Sequence, residues 1–315
     1  MRPAFSVVFL TTLSGAAQGL LIALVLVEAF SLMTAFDVPT AFYLAGSASA
    51  LTLGLLGLLA SFFHLGHPER AWRAVAMWRT SWLSRECLAL PLFLALTCAY
   101  GVAHWLNWHG TLLVGACGVL ASLALFVCSA MIYACLRFLQ EWASPLTLMN
   151  FVLQGCASGC TLAAACAALF APSLTRGLAL GACVLTLAAC AGRIAALVRN
   201  ARLRPKSTLQ SATGIKSGKI VQTSRGFTAG SFNTREFFHG QTPQMLQVVK
   251  FGFLGAAFAL PFALTGASAM AACSAMAPLL LCTACVIQYA GLVAERWFFF
   301  AEAQHPQNVY YQRVS

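Results

Sequence analysis

Residues 61–86 read SFFHLGHPERAWRAVAMWRTSWLSRE. They sit between two apolar runs, AFYLAGSASALTLGLLGLLASFF at 41–63 and CLALPLFLALTCAYGVAHW at 87–105. In a chain with only 9% charged residues this stretch gathers four arginines, two glutamates, two histidines and three tryptophans. Each flanking run is about the 20 residues that an α-helix needs to cross a hydrocarbon layer of roughly 30 Å. The pattern is therefore two membrane-spanning helices joined by a polar, aromatic loop, and the loop is where chemistry concentrates.

The rest of the chain repeats the motif. Its 315 residues are 60% hydrophobic with a mean hydropathy of +0.80, far more apolar than a soluble core requires. Inside a bilayer every backbone amide must be satisfied within its own segment, so long apolar runs become helices. Counting by length predicts eight, at about 7–33, 41–63, 87–105, 111–136, 146–171, 176–198, 250–270 and 273–295. The expected fold class is all-α, a polytopic membrane protein forming one integral domain over 1–315. The first apolar run is too long for a removed signal and has no small-residue cleavage site, so Met1 is read as the mature start.

A net charge of +11 would suggest nucleic acid in a soluble protein; here its distribution across the layer decides the partner. Eight spans put both termini and the loops after spans 2, 4 and 6 on one side. That side, counted with its helix ends, holds 18 of the 19 Lys and Arg residues, leaving Arg176 for the other. The positive-inside rule then makes the termini and the loop at 61–86 cytoplasmic, in a multi-pass protein of a bacterial inner membrane. The partner is the lipid bilayer, with no nucleic acid.

Smaller features fill in the bundle. Gly15 with Gly19, Gly155 with Gly159 and Gly177 with Gly181 are GxxxG pairs that let helices approach closely. Gln18 can hydrogen-bond a ligand or, the favoured reading, a neighbouring helix; Glu28 is placed in solvent at the outer interface; His104 and His109 fall in a bland outer turn. Pro68 starts a short helix in the headgroup plane, with Trp72, Val75 and Trp78 at helical spacing. The thirteen cysteines lie in or beside apolar runs, without a cluster motif on a polar loop, and read as small buried hydrophobes. The stretch 199–249 is long, basic and rich in Gly, Ser and Thr; its Phe227, Phe232, Phe237 and Phe238 suit a docked surface for a partner.

The chemistry centres on three side chains. His64 follows an apolar span and can donate a hydrogen bond to a quinone carbonyl or accept a proton from a quinol. Glu86, opening the third span at the same depth, can relay that proton to the cytoplasm. Arg70 can steady an anionic ring or pair with Glu86. The competing reading is an interfacial salt-bridge cluster that only anchors helix ends. No metal site is expected: the histidines fall at helix ends, loops or the tail, so a haem held between facing helices does not fit. A small-solute transporter would need paired broken helices and ionisable groups near mid-membrane, and the spans offer little beyond Gln18, Asn150, Gln154 and Gln288.

The motifs His64-Leu65-Gly66-x-Pro68-x-Arg70-Ala71, Ser81-Trp82-Leu83-Ser84-Arg85-Glu86 and Arg296-Trp297-Phe298-Phe299-Phe300-Ala301-Glu302-Ala303 resemble the membrane-anchor subunits of the dimethyl sulfoxide reductase (DmsC-type) family. The opening 3–12 and the segment 230–240 are closest to one branch, the anchors of cytoplasmic, quinone-linked sulfite dehydrogenases. The resemblance implies eight helices in two four-helix halves. It implies a four-cluster iron–sulfur subunit and a molybdopterin catalytic subunit as partners, with clusters and molybdopterin held there rather than here. It also implies a quinone, ubiquinone or menaquinone, with His64 and Glu86 as the reacting pair and Gly66 and Arg70 in the same loop; Gln18 is a candidate ligand contact on its own reading only. His67 and Glu69 depart from the commoner loop pattern, and the sixth loop is longer. Electrons must tunnel from a docked cluster to His64, so the catalytic module belongs on the His64 face. Cytoplasmic sulfite oxidation fits that placement better than quinol oxidation feeding an exported sulfoxide reductase.

Overall fold

The computed structural model describes residues 1–221, 223, 237–271 and 275–311. Among the described residues, eight helices are long and apolar enough to cross a membrane: α1 (Phe5–Thr34), α2 (Thr40–Phe62), α3 (Trp82–Trp105), α4 (Thr111–Ala134), α5 (Pro145–Phe170), α6 (Thr175–Ala201), α7 (Pro243–Met270) and α8 (Ala277–Glu302). They form two halves, α1–α4 and α5–α8, joined chiefly where α1 packs along α5.

Glycine makes that joint possible. A Cβ on Gly159 would stand 2.1 Å from the Gly19 carbonyl carbon, and one on Gly19 would stand 2.0 Å from the Gly155 carbonyl oxygen. Two backbones in direct contact replace the hydrophobic effect that lipid cannot supply between helices. Gly177 has open space around it, so the third GxxxG pair is not used in this way.

Three helices depart from the hydropathy ruler. α3 starts at Trp82, because Ser81 accepts a hydrogen bond from the Ser84 amide at 3.4 Å and caps it. Glu86 is therefore one turn inside the helix rather than its first residue. α7 starts at Pro243 behind the Thr242 cap, and its Leu254–Ala259 stretch is a π-helix. Pro261 has no N–H to offer the Ala257 carbonyl, which accounts for the local widening. α8 runs on to Glu302 because its charged residues are paired inside the bundle.

Contacts fix which ends share a face. The Met1 amine donates to the Ala301 and Ala303 carbonyls, Trp142 Nε1 donates to the Phe299 carbonyl at 2.9 Å, and Arg199 Nη2 donates to the Gln140 carbonyl at 3.0 Å. The N-terminus, the loop after α4 and the ends of α6 and α8 thus meet on the face that also carries residues 61–86.

Several expectations are corrected. Glu28 is not solvated: it is buried, accepting from Tyr100 Oη at 2.8 Å and from Thr111 Oγ1. His104 belongs to the last turn of α3, stacked on Tyr43 at 4.2 Å and 3.6 Å from Glu28. Gln18 donates to the Ser14 carbonyl of its own helix at 2.9 Å and, among the described residues, to no neighbouring helix. The short surface helix expected from Pro68 is present, as a 3-10 helix to Val75 with no buried residue. Cysteines 98, 117, 135 and 282 face out of the bundle, so not all are buried. Of the four loop phenylalanines, Phe227 and Phe232 lie outside the described residues. Phe237 stacks on His305 at 3.9 Å, and its carbonyl accepts from Asn308 at 2.7 Å.

Candidate functional site

The loop 61–86 is built from its two ends. At the α2 end, Phe63 and His64 continue the turn, with the His64 amide donating to the Ser61 carbonyl at 3.4 Å. Phe62 and Phe63 are exposed, so the imidazole stands beside side chains that face lipid. At the α3 end, Arg85 fastens the loop: its Nε donates to the Trp78 carbonyl at 2.9 Å and its Nη2 to the Arg79 carbonyl at 2.7 Å. Its guanidinium also lies 4.3 Å from the Trp82 ring centre. Arg85 is thereby committed to the backbone and not to a carboxylate.

Glu86 is 7% exposed. Its hydrogen-bond partner is Ser129 of α4, whose hydroxyl donates to Oε1. Among the described residues no cation is ion-paired with it. Arg70, one of whose two expected roles is to pair with Glu86, lies 3.8 Å from Glu69 on an exposed surface, and Glu69 also meets His67 at 3.0 Å. Burying a carboxyl one turn inside a membrane helix without a compensating cation is costly, and such a group is by default a candidate functional site.

His64 is accessible, yet enough protein crowds it that burial holds its pKa below the ordinary 6.5. The ring is neutral at pH 7, the form that can both donate and accept a hydrogen bond. Gly66 is exposed, and a Cβ placed on it would meet nothing within 4 Å, so sterics do not demand glycine there. Gln18 lies elsewhere: thirteen residues into α1, it is about 20 Å along the axis from the helix start, near mid-layer. His64, Arg70 and Glu86 thus share one loop and its helix ends with no direct bond between them, and Gln18 is apart.

Sequence reasoning missed three things. Ser129 carries no signal in an apolar span. Tyr133, one turn beyond it, packs among Trp142, Phe151, Phe299 and Phe300, within electrostatic range of both Glu86 and Arg296. The third is a buried ionic cluster on the same face. Arg193 Nε lies 2.7 Å from Glu295 and Arg193 Nη2 lies 3.6 Å from Glu302, while Arg296 lies 3.9 Å from Glu295 and donates to Gln154 Oε1 at 3.0 Å. Arg296 also lies 3.8 Å over the Phe151 ring. In the charge count across the layer both arginines stand as water-facing; in the structure they are buried. A cavity of about 10 Å³, the room of one water, adjoins the cluster.

Comparison with known proteins gives this arrangement a setting. Residues 1–300 match the family described as "DMSO reductase anchor subunit (DmsC)". The chain is also 51% identical, across the full length of both sequences, to a subunit of the sulfite dehydrogenase of Allochromatium vinosum. With eight spanning helices and a match of that extent, the chain belongs to the DMSO reductase anchor subunit family and is an anchor subunit of an oxidoreductase.

Proposed function

We propose that this subunit passes electrons between an iron–sulfur partner and membrane quinone, reacting with the quinone at the boundary between His64 and Glu86. The observation that carries the reading is Glu86 itself: a buried carboxyl bonded to a serine, one turn from the aqueous face, with no paired cation among the described residues. At the α2 end of the same loop Phe62 and Phe63 are exposed, where a ring with an isoprenoid tail can arrive from the bilayer. His64 holds a quinone carbonyl by its N–H, and Glu86 passes protons between that boundary and water. Arg70 and Gly66 shape the mouth of the loop.

The relative's name supports sulfite as the soluble substrate. In that case sulfite and water yield sulfate, two electrons and two protons in a molybdopterin subunit. The electrons cross a four-cluster iron–sulfur subunit, and quinone takes up two electrons and two protons. The excess of Lys and Arg on the face bearing His64 supports a cytoplasmic docking side in a bacterial inner membrane, with both termini cytoplasmic. The stretch 199–249 and the C-terminal tail form the docking surface.

Purified complex tests this directly. Sulfite-dependent reduction of a short-chain quinone is expected to exceed quinol-dependent sulfoxide reduction, and His64→Ala or Glu86→Gln abolishes the quinone step while sulfite oxidation with an artificial acceptor continues. Undiminished quinone reduction in both variants would overturn the site.

A further inference from the structure

A second polar recess lies on the same face, away from Glu86. It is a cavity of about 420 Å³ lined by Arg2, Pro3, Phe5, Phe238, His239, Gln241 and Trp297. Its walls come from the start of α1, the segment leading into α7 and the last turns of α8, so it sits at headgroup depth. Pro3 and Phe5 of the opening face Phe238 and His239 across it.

His239 is the decisive residue. It is 8% exposed. Gly240, at φ +70°, takes the left-handed turn that brings the Gln241 amide back onto His239 Nδ1 at 2.9 Å. With Nδ1 accepting, the proton of the neutral ring is on Nε2, and Nε2 has no partner among the described residues. A buried donor left unmatched is costly, so the recess is built for something that accepts. The other polar side chains on the wall, Arg2 and Gln241, also offer N–H groups, and among the described residues no carboxylate lines it. Among the same residues Arg2 makes no ion pair. The aromatic walls continue into Phe5, 59% exposed on the outside of α1, where lipid tails lie.

We propose that this recess binds the phosphate of an anionic phospholipid. The oxyanion takes the Nε2–H of His239 and the guanidinium of Arg2, and the glycerol and acyl chains lie along Phe5 and Trp297. Such a lipid ties α1, the approach to α7 and α8 together at the docking face. Free phosphate has the same oxyanion but gains nothing from the aromatic walls.

The test uses the purified complex after detergent delipidation, titrated with dioctanoyl phosphatidylglycerol, dioctanoylglycerol or inorganic phosphate, reading the unfolding midpoint and bound lipid by native mass spectrometry. Phosphatidylglycerol is expected to bind saturably and raise the midpoint, the other two not. H239A and R2Q each weaken phosphatidylglycerol at least tenfold; Arg2 is exposed, so R2Q keeps the test valid if H239A does not fold. An equal effect of dioctanoylglycerol, an equal effect of inorganic phosphate, or unchanged phosphatidylglycerol binding in R2Q would overturn the proposal. So would a recess closed to the lipid because the iron–sulfur subunit fills it.

Discussion

Arg193 of α6 and Glu295 of α8 meet at 2.7 Å with about 2% of either side chain exposed, locking two helices of the second half together. Their pairing depends on company: Glu302 approaches the same guanidinium and Arg296 the same carboxylate. Removing one charge strands the others in a medium that cannot solvate them. Glu295→Gln is therefore expected to destabilise the subunit by about 3–5 kcal/mol, whereas the double change Arg193→Met with Glu295→Leu recovers most of that loss. Unfolding midpoints of the three proteins in detergent check it.

That cluster also marks how far the sequence could be read. Eight helices, the faces they share and the polar loop at 61–86 follow from run length and charge alone, because the bilayer forces backbone satisfaction within each span. What escapes is pairing between spans. Arg193, Arg296 and Glu295 look like helix-end charges until packing brings them together. Glu28 looks solvated until Tyr100 and Thr111 converge on it from two other helices. Ser129 resembles any small residue in a span until Glu86 is seen beside it. Conversely Arg70, for which pairing with Glu86 is one of two expected roles, lies 3.8 Å from Glu69 on an exposed surface.

Glu86 and Ser129 predict graded kinetics. Glu86→Gln keeps shape but cannot exchange a proton, so quinone-linked turnover is expected to fall about a hundredfold or more, with the complex still assembled. Ser129→Ala removes only the hydroxyl and is expected to have a smaller effect. Steady-state rates with a short-chain quinone on size-excluded complex make the comparison.

His64 predicts a pH limb. Crowding by protein holds its pKa below 6.5, so the neutral ring dominates at pH 7 and is lost only as pH falls through that lower value. Quinone-linked kcat/KM is expected to be flat above neutrality and to decline below pH 6.5, and in the weakly active His64→Gln protein that particular limb disappears. A pH profile over both proteins decides it.

The α1–α5 contact predicts intolerance of any side chain at Gly159, since a Cβ there falls 2.1 Å from backbone carbon. Gly159→Val is expected to cost about 3 kcal/mol or more and to remove most folded protein from the membrane. Gly177→Val, with open space, leaves the yield unchanged. Fluorescence-detected size exclusion compares them.

At the opposite face, Glu28→Gln weakens a buried network without touching His64 or Glu86. The expected cost is about 1–3 kcal/mol of stability with unchanged turnover per folded complex. Parallel melting and rate measurements separate the two effects.

The most direct test of the central claim is a titration of a fluorescent quinone-analogue inhibitor into purified complex carrying the native, His64→Ala or Glu86→Gln subunit. A quinone boundary at these residues predicts saturable quenching in the native complex and its loss, or a weakening of at least tenfold, in both variants. Equal affinity in all three proteins would contradict it.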